Sequence, residues 1–135
     1  MQYPLISEYI EAIRYAEDNF DKLSNLRPVL DDNGNPIMSS GNFAVVFKMK
    51  DIETNKLYAV KCFIREQEER QERYREIIKV LDEIKSSYFV SAQYYDNELF
   101  VDTTQDDETE FPVLVMDWVD GIPLDDYMKA IESKQ

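Results

Sequence analysis

Residues 58–63 read YAVKCF, and Lys61 is the one charged side chain in the run. Its neighbours are those of a buried strand, where alternation sends Ala59, Lys61 and Phe63 to one face and Tyr58, Val60 and Cys62 to the other. An ammonium taken out of water without compensation is costly, so this position calls for an anion, an open cleft or a snorkelling route to solvent. Three features nearby bear on that choice. Upstream, SSGNFAVVFK (residues 39–48) sets Gly41 ahead of a strand expected to pair with the lysine strand. Downstream, Glu76 stands between Tyr74 and Ile77 on a helical stretch, whose apolar residues would turn it inward as a counter-ion. Farther on, LVMDWVDG (residues 114–121) reads as a buried strand that ends in a short connector.

Other chemistries are excluded by what the chain lacks. It has no histidine and one cysteine, Cys62, so it offers no imidazole-based triad, none of the usual zinc sites and no internal disulfide. Acidic residues outnumber basic ones by 28 to 15, a formal charge of -13 that repels phosphate backbones and anionic lipid, so neither nucleic acid nor membrane is expected as a partner. The N-terminal stretch MQYPLISEYIEAI carries Glu8 and Glu11 and no basic leader, unlike a signal peptide or a membrane span, and a cytoplasmic location is the default expectation. DDNGNP (residues 31–36) resembles a calcium loop in composition only. With Gly34 at the sixth loop position the first ligand would be Val29, so a solvated turn is expected and no metal site is assigned.

The elements that must position these residues follow from periodicity. Ile6, Ile10, Ile13, Ala16, Phe20 and Leu23 recur at helical spacing, predicting one amphipathic helix over residues 4–23 that docks on the core, with Pro4 near its start. The β-rich runs on either side of Glu53 to Lys56 predict a hairpin, with Asn55 available for a positive φ. Residues 66–85 contain no Gly or Pro, and Tyr74, Ile77, Ile78, Leu81 and Ile84 share one helical face, predicting a long helix whose first half is nearly all charge. YFVSAQYY and LFVD read as strands around a turn at Asp96 and Asn97, and TTQDDETE as an acidic loop. FPVLVMDWV is a strongly apolar strand, and LDDYMKAI a short closing helix. The expected fold is α+β, with an antiparallel five-stranded sheet packed by one long helix and an extra N-terminal helix. At 135 residues the chain is treated as one compact body, with residues 1–35 as a helical extension on the domain of residues 36–135.

In order and spacing, residues 36–130 resemble the N-terminal lobe of a eukaryotic-type protein kinase. SSGNFAVV matches the glycine-loop pattern GxGxxGxV in part: Ser39 stands at the first glycine, Gly41 at the second, Ala44 at the third and Val46 at the valine, with Phe43 as the aromatic at the tip. YAVKCF is similar to the VAIK strand of the family. LVMDWVDGIPL resembles the last strand, gatekeeper and hinge.

The resemblance implies ATP as ligand. Lys61 would hold the α- and β-phosphates and pair with Glu76, with Glu72 as the second candidate one turn earlier. Ser39, Ser40, Gly41, Asn42, Phe43 and Ala44 would cover the phosphates. Met38, Val46 and Ala59 would contact the base, Met116 would be the gatekeeper, and the backbone of Asp117, Trp118 and Val119 would hydrogen-bond adenine. The sequence contains no HRD-type catalytic loop and no DFG-type aspartate for magnesium, so this chain alone is expected to be inactive. The expectation is a piece of a longer protein, ending within or just after the first helix of a missing second lobe. That parent would transfer the ATP γ-phosphate, with magnesium, to a Ser or Thr hydroxyl of a protein substrate held by the second lobe. The alternatives are a pseudokinase-like interaction module that binds a protein through its acidic surface, and a small-molecule kinase with the same nucleotide lobe.

Overall fold

The structure is a computed structural model that describes residues 2–65, 92–125 and 127. The long helix expected over residues 66–85, with Glu72 and Glu76, lies outside the described residues.

The N-terminal segment starts with extended backbone through Leu5, whose N–H is accepted by the Glu8 carboxylate at 2.9 Å, satisfying a donor that the helix start would leave open. Helix α1 spans Ile6–Arg14 and α2 spans Ala16–Asn19. The single helix expected over residues 4–23 is therefore interrupted at Tyr15, at φ -111° and ψ 41°, and ends at Asn19. Two contacts compensate the break. The Asn19 side-chain amide donates to the Ala12 carbonyl at 2.9 Å, and Arg14 reaches sideways to Gly34 O and Asn35 Oδ1. The chain must also become extended by Phe20, because Phe20 bridges to Leu99 in the sheet.

Six strands follow: β1 (Leu26–Pro28), β2 (Met38–Ser40), β3 (Ala44–Asp51), β4 (Leu57–Phe63), β5 (Ala92–Phe100) and β6 (Glu110–Asp117). All pairings are antiparallel, in the order β1-β3-β4-β6-β5, with β2 also on β3. Among the described residues the sheet is five strands wide along this path, and β1 and β2 share one place beside β3. β1 lies along residues 49–51 of β3 and β2 along residues 45–47, so they are two halves of one edge strand. An excursion closed by the Leu30–Pro36 bridge separates them, and Asp31 Oδ1 accepts the N–H groups of Asn33 and Asn35 at its tip. The sheet therefore takes a strand from within residues 1–35. The β3–β4 hairpin turns through Asn55 at φ 63°, as its sequence predicts.

Asp96 and Asn97 do not form a turn. They sit inside one continuous strand, β5, where the register to β6 shifts between Tyr95 and Leu99 and Asn97 adopts φ 50°. Pro112 explains the shift: it lies between Phe111 and Val113, the partners of Leu99 and Tyr95, and has no N–H to give the ladder. A bulge absorbs the missing bond.

Tyr3 packs against Phe111 with ring centroids 6.1 Å apart, and Tyr9 lies beside Cys62. Both partners are in strand phase with Val60, Val113 and Val115. The N-terminal segment therefore covers the face of the sheet opposite in phase to Lys61. Among the described residues, no helix is long and apolar enough to cross a membrane.

Candidate functional site

Register assembles the site. Ser39 pairs with Val46, Val46 with Lys61, Lys61 with Leu114 and Leu114 with Tyr94, so five strands contribute one row across the sheet. Two residues along, a second row of the same phase holds Lys48, Ala59, Met116 and Ala92. Val46, Ala59, Lys61 and Met116 are thereby gathered on one face, and none has solvent exposure. Met38 pairs with Phe47 and is one residue out of phase with the first row, so the register does not gather it with them.

The complete burial of Lys61 removes the snorkelling alternative. An ammonium out of water forfeits several kcal/mol of hydration, about what a well-made set of anionic and hydrogen-bonding contacts restores. The candidate counter-ion Glu76 lies outside the described residues.

At the end of these strands the β2–β3 hairpin closes tightly. Gly41 donates its N–H to the Ala44 carbonyl at 2.9 Å, leaving Asn42 and Phe43 at the tip, and the Phe43 carbonyl accepts from Ile64 N–H at 2.9 Å. Ser39 to Ala44, with Phe43 as the one bulky side chain, thus form a tight loop tied to the end of the lysine strand.

At the other border, β6 runs from Met116 into the connector. Asp117 forms an ion pair with Lys56 at 3.2 Å, and the Trp118 N–H is accepted by Leu57 O at 3.2 Å. Val119, at the end of the connector, is bonded within the chain. Its N–H donates to the Tyr127 hydroxyl, which in turn donates to the Val119 carbonyl at 3.2 Å. The Tyr127 ring stacks on Trp118, centroids 5.0 Å apart and planes 9° off parallel, and Lys48 Nζ sits 4.6 Å from the Trp118 ring centroid. Burial pushes the Tyr127 phenol above its ordinary value. The bond from Val119 opposes this, while the carboxylates of Asp120 and Asp117 add to it. The phenol therefore stays protonated near neutral pH, able both to accept and to donate.

Leu124, Asp125 and Tyr127 are helical, and Ser39 Oγ donates to Asp125 Oδ1, linking this segment to the loop strand. Asp125, Tyr127 and Lys48 were not singled out from the sequence. Lys48 had a readable signal, since it lies two residues after Val46 and so shares the phase of Lys61. Tyr127 had a weaker one, a hydroxyl three residues after Leu124 on the helix's apolar side.

A cleft of about 300 Å³ opens elsewhere, lined by Lys22, Asp51, Lys56, Tyr58, Gln93 and Asp117 among others. It belongs to the sheet phase opposite Lys61. Three of its charged groups are engaged: Lys56 pairs with Asp117, and Asp51 Oδ1 accepts the N–H groups of Glu53 and Thr54. The face bearing the buried ammonium is the better candidate for chemistry. No protein-family model matches the chain, and no curated protein matches it in sequence.

Proposed function

We propose that this chain is a kinase N-lobe-like, ATP-binding domain, and that the longer protein to which it belongs transfers the γ-phosphate to a Ser or Thr hydroxyl of a protein. The observation that carries this reading is the row Ser39–Val46–Lys61–Leu114, in which a wholly buried lysine shares the sheet with the strand that leads into the loop around Gly41. Lys61 orients the α- and β-phosphates, and Glu76 holds Lys61 in position. The loop from Ser39 to Ala44 brings backbone N–H groups close to the phosphates, for which short side chains are required. Ser39 and Ala44 stand where the family has glycine and reduce how closely that backbone can approach. Val46, Ala59 and Met116 supply apolar contact to the base, and the Asp117–Val119 backbone reads its edge. Magnesium, which neutralises charge on the phosphates, is held by residues of the second lobe, as is the protein substrate.

A second reading, a pseudokinase-like module that binds a protein, draws on the closure of the base face: Val46, Ala59 and Met116 have no exposure and Val119 is already bonded. Titration calorimetry with ATP on this chain and on Lys61→Met separates the two. The nucleotide reading expects saturable binding that weakens at least about tenfold in the variant, the loss of one charge-assisted contact set. Equal affinity in both proteins refutes the role of Lys61.

A further inference from the structure

We infer that Asp125 and Tyr127 act as a strap on the connector and the loop strand, in which the Tyr127 hydroxyl occupies the position of the adenine edge, so that an adenine nucleotide binds only after Tyr127 leaves Val119. The inference rests on the nucleotide reading above. Its basis is the match of chemistry. The Watson–Crick edge of adenine presents a ring-nitrogen acceptor beside an exocyclic amine donor. The Tyr127 hydroxyl presents the same pair from one atom, accepting from Val119 N–H and donating to Val119 C=O. Its ring is stacked flat on Trp118 and has no solvent exposure, so it is packed as a bound base would be.

Two further contacts make the segment a strap and not a lone side chain. Asp125 accepts from Ser39, so the residues that hold the connector also hold the first residue of the phosphate loop. Gly121, at φ 90°, turns the chain between the connector and these residues. Release of Tyr127 frees Val119, and release of Asp125 frees Ser39. The apparent affinity for nucleotide is then the intrinsic affinity scaled by the fraction of molecules with the strap open.

Tyr127→Phe keeps the stacked ring and removes the hydroxyl, and Asp125→Ala removes the second anchor. Two readouts are taken on the full 135-residue chain: ATP affinity by calorimetry and hydrogen exchange of the Val119 amide by NMR. The inference expects Tyr127→Phe to bind ATP about three- to tenfold more tightly, the range of one ordinary hydrogen bond, with faster exchange at Val119. Asp125→Ala shifts affinity in the same direction. Faster Val119 exchange with unchanged ATP affinity overturns the strap while leaving the nucleotide reading intact. Faster exchange with no ATP binding in any of the proteins overturns the nucleotide reading and the strap with it. Unchanged exchange at Val119 shows that the contact does not guard the amide, and overturns the strap whatever the affinity.

Discussion

Tyr9 has no solvent exposure and donates its phenol proton to the Phe63 carbonyl at 2.5 Å, two residues beyond Lys61 on the same strand. Burial pushes that phenol far above its ordinary value, with Cys62 nearby adding to the effect, so it remains a donor at any physiological pH. The helix thus fixes the end of the strand that carries the buried ammonium. Tyr9→Phe removes this bond to the Phe63 carbonyl and is expected to cost about 1–2 kcal/mol in urea denaturation. A cost indistinguishable from zero means that the carbonyl finds another donor. Lys61 itself could be read from sequence, because a charge inside an apolar alternating run is conspicuous. Tyr9 could not: the stripe Ile6, Ile10, Ile13 marks the docking face, but nothing local states that a phenol beside it meets a carbonyl 54 residues away. Val119 could be assigned to the connector by position, while its bond to Tyr127 depends on how the chain doubles back after Gly121.

At the level of elements, one carboxylate ties the end of the N-terminal helical segment to the sheet. Glu98 is buried on β5, and its Oε2 accepts the N–H groups of Lys22 at 2.6 Å and Leu23 at 2.9 Å, while its carbonyl accepts from Asp21 N–H. Hydrogen bonds to an ionised acceptor are stronger than neutral ones, and Glu98→Ala is expected to destabilise the fold by about 2–3 kcal/mol. Limited proteolysis should then cut first within residues 15–25. Loss of stability without cleavage there would mean that the segment docks without this clamp. The hairpin at Asn55 and the alternation of β4 are local features, and periodicity predicts them. The bulge at Asn97 is not local. Asp96–Asn97 reads as a turn by composition, and only the pairing of β5 with Pro112 on β6 makes it a bulge. The broken edge strand is similar, since β1 and β2 share a neighbour that is later in sequence than both.

For the whole molecule, the charge of -13 makes carboxylates the groups through which pH acts. Glu8 links α1 to the loop before β6: it accepts from Thr103 Oγ1 at 2.6 Å and from Thr104 N–H at 2.9 Å. Its slight burial raises the carboxyl pKa, and the bonds from Thr103, Leu5 and Thr104 outweigh that, so the net shift is downward. The N–H groups of Gln2 and Glu108 lower Asp106 in the same way. Because both folded values lie below the unfolded ones, their contribution is complete above the ordinary carboxylate range and is lost as pH falls below about 4. Amide exchange at Leu5 and Thr104 should therefore accelerate as pH is lowered toward 3, once corrected for intrinsic rates. Glu8→Gln should flatten that dependence, and an unchanged pH profile in the variant would assign the acid sensitivity elsewhere.

The most direct test of the central claim is to treat the chain with an acyl phosphate of ATP, which passes its acyl group to an amine beside the bound phosphates and releases ATP, and to map the modified lysines by mass spectrometry. The account predicts modification at Lys61 that excess ATP suppresses. Modification confined to the surface lysines Lys22, Lys50 and Lys56, or modification of Lys61 that ATP leaves unchanged, would contradict it.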